Sequence, residues 1–285
     1  MKPHQLALLL LVAGNLAASL SDVAVKLIDG TLSPFQYMFL RQLVTLVLLT
    51  PAFLSRPHHQ RRLQQKGITL LRAHLILIGS GCMMIAITHL PLATANAVFY
   101  AAPLLMLPLS AWLLQEKPSG SKIIATALGF AGVLVVLRPE NFHWAGLFAL
   151  GTATTLALFN ILVRKLPGSQ PVITTLWWTT VLSLPISALL AGYHWQPLQA
   201  EQLLLVLVSA ACILSYNGLA VMAYQRAPAG EIAMAEYSGL IFVTAFGLIW
   251  FNEIPDWLTA VGILMIILPL LPLRHSPWLK RCRGK

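Results

Sequence analysis

The chain has 285 residues, of which 58% are hydrophobic and only 10% are charged, and its mean hydropathy is +0.76. A soluble domain carries about a quarter of charged residues, so this composition excludes an ordinary water-soluble fold. The formal net charge of +10 does not indicate nucleic-acid binding, because the basic residues lie in short segments between apolar runs instead of forming one soluble basic face. We therefore predict an all-α integral membrane protein whose partners do not include nucleic acid.

Apolar runs of about 20 residues, the length that crosses a bilayer core as a helix, recur along the whole sequence. The first run resembles a secretory signal, but its apolar pattern continues through Val23 and Val25, so we expect a retained helix. Only three residues, His89 to Pro91, separate the third run from the fourth, which predicts a tight helical hairpin. We predict ten transmembrane helices, at residues 5–27, 34–55, 69–89, 91–114, 121–138, 144–163, 171–191, 202–224, 230–251 and 257–273.

The basic residues are divided unevenly between the predicted loops. With the N-terminus in the cytoplasm, sixteen of the 19 Lys and Arg residues, Arg72 among them, belong to cytoplasmic loops or tails. The three exceptions are Lys26, Arg41 and Arg138. Such asymmetry is the positive-inside signature of membrane proteins. We therefore expect a multi-pass protein of a bacterial inner membrane, surrounded by lipid, with both termini in the cytoplasm.

The two halves of the chain match when one is shifted by 137 residues, the separation of Glu116 and Glu253. The same shift places Tyr100 on Tyr237. Because each half holds five spans, the second copy enters the membrane from the opposite side, an arrangement typical of secondary transporters with a binding site near the midplane. We predict a first repeat at residues 1–139 and a second at residues 140–285 that ends in a basic tail. The two Glu residues follow the ends of spans, so we expect them to be structural.

The repeated segments are similar to a known family. Residues 91–139 resemble the EamA domain of the drug/metabolite transporter superfamily, and residues 229–273 resemble its second copy, with Leu240 at the place of Pro103. The resemblance implies ten helices in two inverted five-helix repeats and a cavity lined mainly by the third, fourth, eighth and ninth helices. It also implies export of small metabolites. The residues that carry it are Ser21, Asp22, Lys26, Arg41, Ala93, Ala95, Ala97, Pro103, Glu116, Gly129 and Gly132.

Charged side chains at bilayer depth are costly, so those present usually face a cavity or a partner. Asp22 and Lys26 are four residues apart, on one face of the first helix, and Arg41 enters the second helix from the same side. One interpretation is a charged gate or coupling cluster that contacts the substrate. The other is a structural ion pair between Asp22 and Arg41 that joins two helices.

Glu236 is the strongest candidate for proton coupling or for binding a cationic group, because a carboxyl group in a low-dielectric cavity can exchange protons. Other polar residues on the helices that the resemblance assigns to the cavity could supply hydrogen bonds to a substrate. Asn residues in spans can equally join helices to one another. The predicted substrate-binding residues are Asn96, Tyr100, Tyr216, Asn217, Glu236 and Tyr237.

The favoured function is a secondary transporter that exports amino acids or similar small metabolites or drugs by alternating access, with proton coupling as the mode to test. The alternative is an intramembrane enzyme that processes lipids or peptides. That alternative lacks a catalytic constellation, since the sequence has neither a His-Glu-x-x-His zinc motif nor a pair of intramembrane aspartates. A channel would need a polar filter or a charged ring. We expect no cofactor and no metal, a small-molecule substrate, and a monomer or homodimer.

Overall fold

The computed structural model describes residues 3–28, 31–113, 115, 120–137, 143–163, 165–166, 170–224, 235 and 238–267. The regular structure in these ranges is entirely helical, as the composition predicts. Eleven α-helices are described, and a short 3-10 helix, His58–Arg61, lies between the second and the third. They are α1 Pro3–Leu27, α2 Pro34–Leu54, α3 Lys66–His89, α4 Leu92–Phe99, α5 Ala102–Leu113, α6 Gly120–Leu137, α7 Ala145–Val163, α8 Val172–Tyr193, α9 Ala200–Tyr224, α10 Ser238–Phe251 and α11 Trp257–Ile267.

Helix length and composition identify a multi-pass membrane protein. In the described ranges, seven segments are long and apolar enough to cross a bilayer, and the α4–α5 segment Leu92–Leu113 counts as one of them. Three shorter apolar helices accompany them: Thr126–Leu137 within α6, Ser238–Phe251 and Trp257–Ile267. Many large apolar side chains point outward, among them Val47, Leu189 and Ile241, which are 63%, 67% and 70% exposed. Lipid, not water, suits such a surface.

The predicted fourth span is broken into α4 and α5 at Tyr100 and Ala101. Pro103 has no N–H to donate to the carbonyl of Phe99, four residues earlier, so the regular helical ladder is interrupted there. Phe99 is the last residue of α4. Tyr100 therefore lies at a break within the membrane span instead of in a regular helix.

The helices run alternately up and down, and contacts at each end show which termini lie together. At the end that holds Lys26, Gln36 at the start of α2 exchanges hydrogen bonds with the backbone of Gln196, just before α9. At the opposite end, which holds Arg61, the indole of Trp178 on α8 donates to the Arg61 carbonyl at 2.8 Å. We refer to these as the Lys26 end and the Arg61 end.

Helices from the two halves of the chain pack against each other throughout the bundle. The closest pairs are α1 with α9, α3 with α7, α2 with α8, and α6 with α11; α4 also packs on α10. Gly132 on α6 and Gly262 on α11 meet at one crossing, where a Cβ added to either would lie 2.8 Å from the carbonyl oxygen of the other. Small residues allow such close backbone approach in membrane helices.

Two backbone positions repeat at the separation that the sequence indicates. Gln115 and Asn252 have positive φ values of 54° and 52°, and they lie 137 residues apart, immediately before Glu116 and Glu253. Side-chained residues adopt this left-handed conformation rarely, Asn more readily than most. After Asn252, the Glu253 N–H bonds back to the Gly247 carbonyl at 2.9 Å, which ends α10 and directs the Glu253 side chain into the bundle.

Candidate functional site

Asp22, Asn96 and Arg41 come together in the interior, where α1, α2 and α4 meet. Asp22 is only 8% exposed, and Asn96 and Arg41 are the polar residues near enough to act on its carboxyl group. Arg41 donates from Nη1 to Ser80 Oγ at 2.9 Å. Among the described side chains, Arg41 therefore takes a neutral partner on α3, and the direct Asp22–Arg41 ion pair that the sequence left open is not formed.

Arg41 also borders a small central cavity of about 50 Å³ between α2, α3, α8 and α9. Of the predicted substrate-binding residues, Asn217 lines this cavity. The lining combines one guanidinium with amide and hydroxyl groups on an apolar wall. The other lining residues are Gln42, Thr45, Leu49, Ile76, Leu176, Thr179, Thr180, Ile213 and Leu214.

Lys26 does not join Asp22. Its ammonium group pairs with the Glu253 carboxylate, donates to the Leu90 carbonyl at 2.8 Å and lies 5.2 Å from the centre of the Phe251 ring. Glu253 in turn accepts a hydrogen bond from the Leu92 N–H at 2.8 Å. The pair thus ties α1 and the α3–α4 turn to the segment after α10, and links the two halves of the chain at the Lys26 end.

A second cavity, of about 320 Å³, lies near this ion pair at the Lys26 end. Its wall includes Leu90, Pro91 and Ile254, next to the paired residues, together with His143 and Asp256. This cavity therefore borders the Lys26–Glu253 pair through Leu90, which accepts a hydrogen bond from Lys26, and through Ile254, the neighbour of Glu253 in the sequence.

Asn15 connects α1 to the region of two predicted site residues. Its amide group donates to the Ala235 carbonyl at 2.8 Å and to Ser238 Oγ at 3.2 Å. Glu236 and Tyr237, which sequence reasoning selected, lie outside the described residues. Their immediate neighbours on both sides in the sequence nevertheless contact a buried residue of α1.

Tyr100 and Tyr216 lie at contacts between the halves. The Tyr100 ring reaches Gly239 at the start of α10, where an added Cβ would be 3.2 Å from its Cζ. Tyr216 on α9 lies against Gly14 on α1, with its Cδ2 3.3 Å from a Cβ placed there. The structure thus joins Asp22, Asn96 and Arg41 in one cluster, while Tyr100 and Tyr216 border neighbouring contacts and Lys26 belongs to a separate pair.

Sequence reasoning did not select, as site residues, the neutral polar side chains that form hydrogen bonds between helices in the interior. Ser21 and Tyr37 both contact the Ser209 hydroxyl, at 2.8 and 3.0 Å, and Ser80 accepts the Arg41 hydrogen bond. A signal for such positions exists in α8, where Thr175, Thr179, Ser183 and Ser187, spaced four apart, are all buried. A stripe of small hydroxyl residues at helical spacing marks the protein-facing side of a membrane helix.

Comparison with known proteins identifies the class of the chain. The profile of the EamA-like transporter family matches residues 5–138 and again residues 143–271. The chain therefore belongs to the EamA-like transporter family.

Relatives with named activities are transporters that differ in what they carry and in which direction. An S-adenosylmethionine uptake transporter of Rickettsia conorii is 25% identical, over 88% of this chain and 86% of that protein. A riboflavin transporter of Vibrio cholerae is 27% identical over 93% and 91%, and a pseudopaline exporter of Pseudomonas aeruginosa is 22% identical over 94% and 95%. A solved crystal structure shares the fold, with a TM-score of 0.64 at 19% identity, over 98% of this chain and 99% of the other.

Proposed function

We propose that this protein is a secondary transporter that carries a small zwitterionic solute by alternating access of two inverted repeats. The observation that supports the proposal is the buried Asp22 carboxyl group inside the bundle, with the Arg41 guanidinium near enough to act on it electrostatically. Two opposite charges at one interior site fit a solute that bears both an ammonium and a carboxylate group, such as an amino acid.

Several observations support the two repeats, residues 1–139 and 140–285. The family profile matches twice, and the positive φ values of Gln115 and Asn252 recur at the 137-residue separation. The packing also pairs helices by an inverted two-fold rule: α1 with α9 has its counterpart in α3 with α7, and α2 with α9 has its counterpart in α3 with α8. Seven long spans and three shorter apolar helices are consistent with ten transmembrane helices.

We further propose that the Arg61 end faces the cytoplasm of a bacterial inner membrane, with both termini inside. The exposed basic residues Arg56, Arg62 and Lys66 lie at the Arg61 end, as the positive-inside rule requires. Arg72, which the sequence assigns to the cytoplasmic loop, does not contribute to this charge asymmetry. It lies on α3 with only 3% of its surface exposed.

The central cavity is too small for a solute as it stands. Ligand sites are roughly 300–1,000 Å³, whereas this cavity is about 50 Å³. The structure is thus suited to an intermediate in which the site has contracted and the Lys26–Glu253 pair closes one end. Access from the Lys26 side requires that this pair break, which gives Lys26 a gating role and makes the motif residue Glu253 part of the gate.

Coupling to protons is assigned, as a proposal, to Glu236, with Asp22 as the second carboxyl group. This assignment is supported by Asn15, which contacts Ala235 and Ser238 and lies on α1, the helix that carries Asp22. We expect Glu236→Gln to abolish transport driven by a pH gradient while the protein still inserts and remains monodisperse in detergent. Unchanged gradient dependence in that variant would remove Glu236 as the coupling residue.

The proposal is tested by solute flux into proteoliposomes that contain the purified protein. Amino acids, nucleosides, vitamins and cationic dyes are compared with and without an imposed pH gradient, in both directions. We expect saturable flux of an amino-acid-like zwitterion. Export remains a prediction, and comparison of the flux in the two directions tests it. Flux confined to uncharged compounds, or to none of the classes with folded protein, would overturn the proposed substrate class.

A further inference from the structure

Arg72 is a buried cation that the transport site described above does not use. It lies on α3 where this helix packs against α7, and it is 3% exposed. Its guanidinium carbon is 4.0 Å from the centre of the Phe159 ring, whereas its Nε and Nη1 atoms are buried and have no hydrogen-bond partner among the residues that the structure describes. Leaving buried charged donors unpaired is unfavourable, more so than for neutral donors.

Of the four acidic residues that the structure describes, three lie at the other end of the bundle from Arg72. In the described part of the chain the acidic residues are Asp22, Glu201, Glu253 and Asp256. Glu201 begins α9, and Glu253 and Asp256 lie between α10 and α11, all at the Lys26 end. Arg72 is in the second turn of α3, close to the Arg61 end. An anion supplied from outside the protein would satisfy the two free donors.

The position of Arg72 relates it to the central cavity. Arg72, Ile76 and Ser80 are spaced four apart, so they share one face of α3. Ile76 lines the cavity, and Ser80 holds Arg41. Eight residues of helix span about 12 Å. Arg72 therefore lies on the same face of α3 as a residue that lines the cavity and the residue that binds Arg41, but nearer the Arg61 end.

Arg72 points into the protein and not toward lipid. Its neighbours Leu70, Leu71 and Ile78 form the outward face of α3 and are 44%, 50% and 55% exposed. Arg72 belongs to the opposite face, with the buried Thr69 and Ala73. A headgroup in the surrounding bilayer does not have direct access to a guanidinium on that side.

We propose that Arg72 is an anion-binding site at the Arg61-end entrance to the transport path, where it takes the carboxylate of the solute before or after Arg41 does. This inference rests on the proposed transport function, since α3 and α7 must separate to expose the guanidinium. A planar guanidinium with free donors suits bidentate binding of a carboxylate.

The direct test measures chemical modification of Arg72 and needs no knowledge of the natural solute. Proteoliposomes with the full-length protein are treated with the arginine reagent phenylglyoxal, and modification of Arg72 and of the exposed Arg62 is followed by peptide mass spectrometry. Benzoate, benzylamine and benzyl alcohol serve as anionic, cationic and neutral probes of similar size. We expect benzoate alone to slow modification of Arg72 by about tenfold, the size of one charge-assisted hydrogen bond, and to leave Arg62 unchanged.

Four outcomes would overturn the inference. If Arg72 never reacts with phenylglyoxal, opening of this end does not expose it. If all three probes protect Arg72, or if Arg62 is protected equally, the protection does not come from anion binding at Arg72. Slower modification on adding phosphatidylglycerol to phosphatidylcholine vesicles, without any effect of benzoate, would assign the guanidinium to lipid headgroups. Benzoate protection without flux of any solute would instead leave the anion site standing and contradict the transport proposal.

A second arm uses the solute that the flux assay identifies. We expect Arg72→Met to raise KM for a carboxylate solute about tenfold, Arg72→Lys to recover much of that loss, and Arg62→Met to have no effect. A purely structural Arg72 would lower the amount of folded protein in both Arg72 variants without changing KM, which would contradict the inference.

Discussion

At Asp22, an asparagine side chain would have nearly the same shape as the native aspartate but no charge. It lies beside Asn96, with Arg41 held by Ser80 nearby, so Asp22→Asn keeps the shape of the cluster and removes its negative charge. We expect kcat/KM for a zwitterionic solute to fall at least tenfold, since a charge-assisted hydrogen bond contributes about 1.5–3 kcal/mol. Flux into proteoliposomes measures this, with Glu201→Gln, the same change on an exposed residue of α9, as the matched control.

Asp22→Asn also separates a binding role from a structural one. A merely structural carboxylate would lower the melting temperature in detergent and leave the kinetic constants of the remaining folded protein unchanged. Full activity in Asp22→Asn would show that the solute does not bind to this carboxylate.

The polar residues show how far the sequence could predict the site. Asp22 and Arg41 could be selected because a charge inside an apolar span is conspicuous. Asn96, near Asp22, and Ser80, which binds Arg41, are neutral side chains of a kind that occurs throughout the spans, and Lys26 pairs with Glu253, 227 residues away. Which neutral residues meet a charge depends on the rotation of each helix and on packing between distant helices, which apolar periodicity does not report for helices surrounded by lipid.

Among the helices, the crossing of α6 and α11 offers a clear test of packing. A side chain at Gly132 has no room, because even a Cβ would lie 2.8 Å from both the Gly262 carbonyl and the Met265 Cβ. Gly120, at the start of the same helix, has nothing within 4 Å of an added Cβ. We expect Gly132→Val to destabilise the protein by about 1–3 kcal/mol, as overpacking does, and Gly120→Val to be close to neutral.

Thermal unfolding in detergent, followed by tryptophan fluorescence, compares the two glycine variants under identical conditions. Equal melting temperatures for Gly132→Val and Gly120→Val would contradict the close α6–α11 contact. The test is independent of transport, so it examines the fold alone.

The helical elements were easier to predict than the site. The boundaries of α1, α2, α7 and α9 agree with the predicted spans within a few residues, because about 20 apolar residues are needed to cross a bilayer whatever the neighbouring helices do. The break between α4 and α5 was not predicted, although Pro103 was noted. A proline kinks or breaks a membrane helix depending on whether neighbouring helices satisfy the freed carbonyl groups, which is a property of the packing.

At the level of the whole molecule, the Lys26–Glu253 pair lies where the two halves must separate if the Lys26 end is to open. Lys26 is on α1 and Glu253 follows α10, and the pair is only partly exposed, with 12% and 21% of the two side chains accessible. Covalent linkage at these positions should therefore hold the end closed.

The measurement that tests alternating access most directly is reversible crosslinking of that pair. Cysteines replace Lys26 and Glu253 in a background in which Cys82, Cys212 and Cys282 are serine, and a short bifunctional reagent that forms a disulfide bond with each thiol joins them. We predict that solute flux in proteoliposomes is lost on crosslinking and returns on reduction, with either single-cysteine variant unaffected by the reagent. Flux that continues at the same rate through the crosslinked protein would contradict a transport cycle in which the Lys26 end opens and closes.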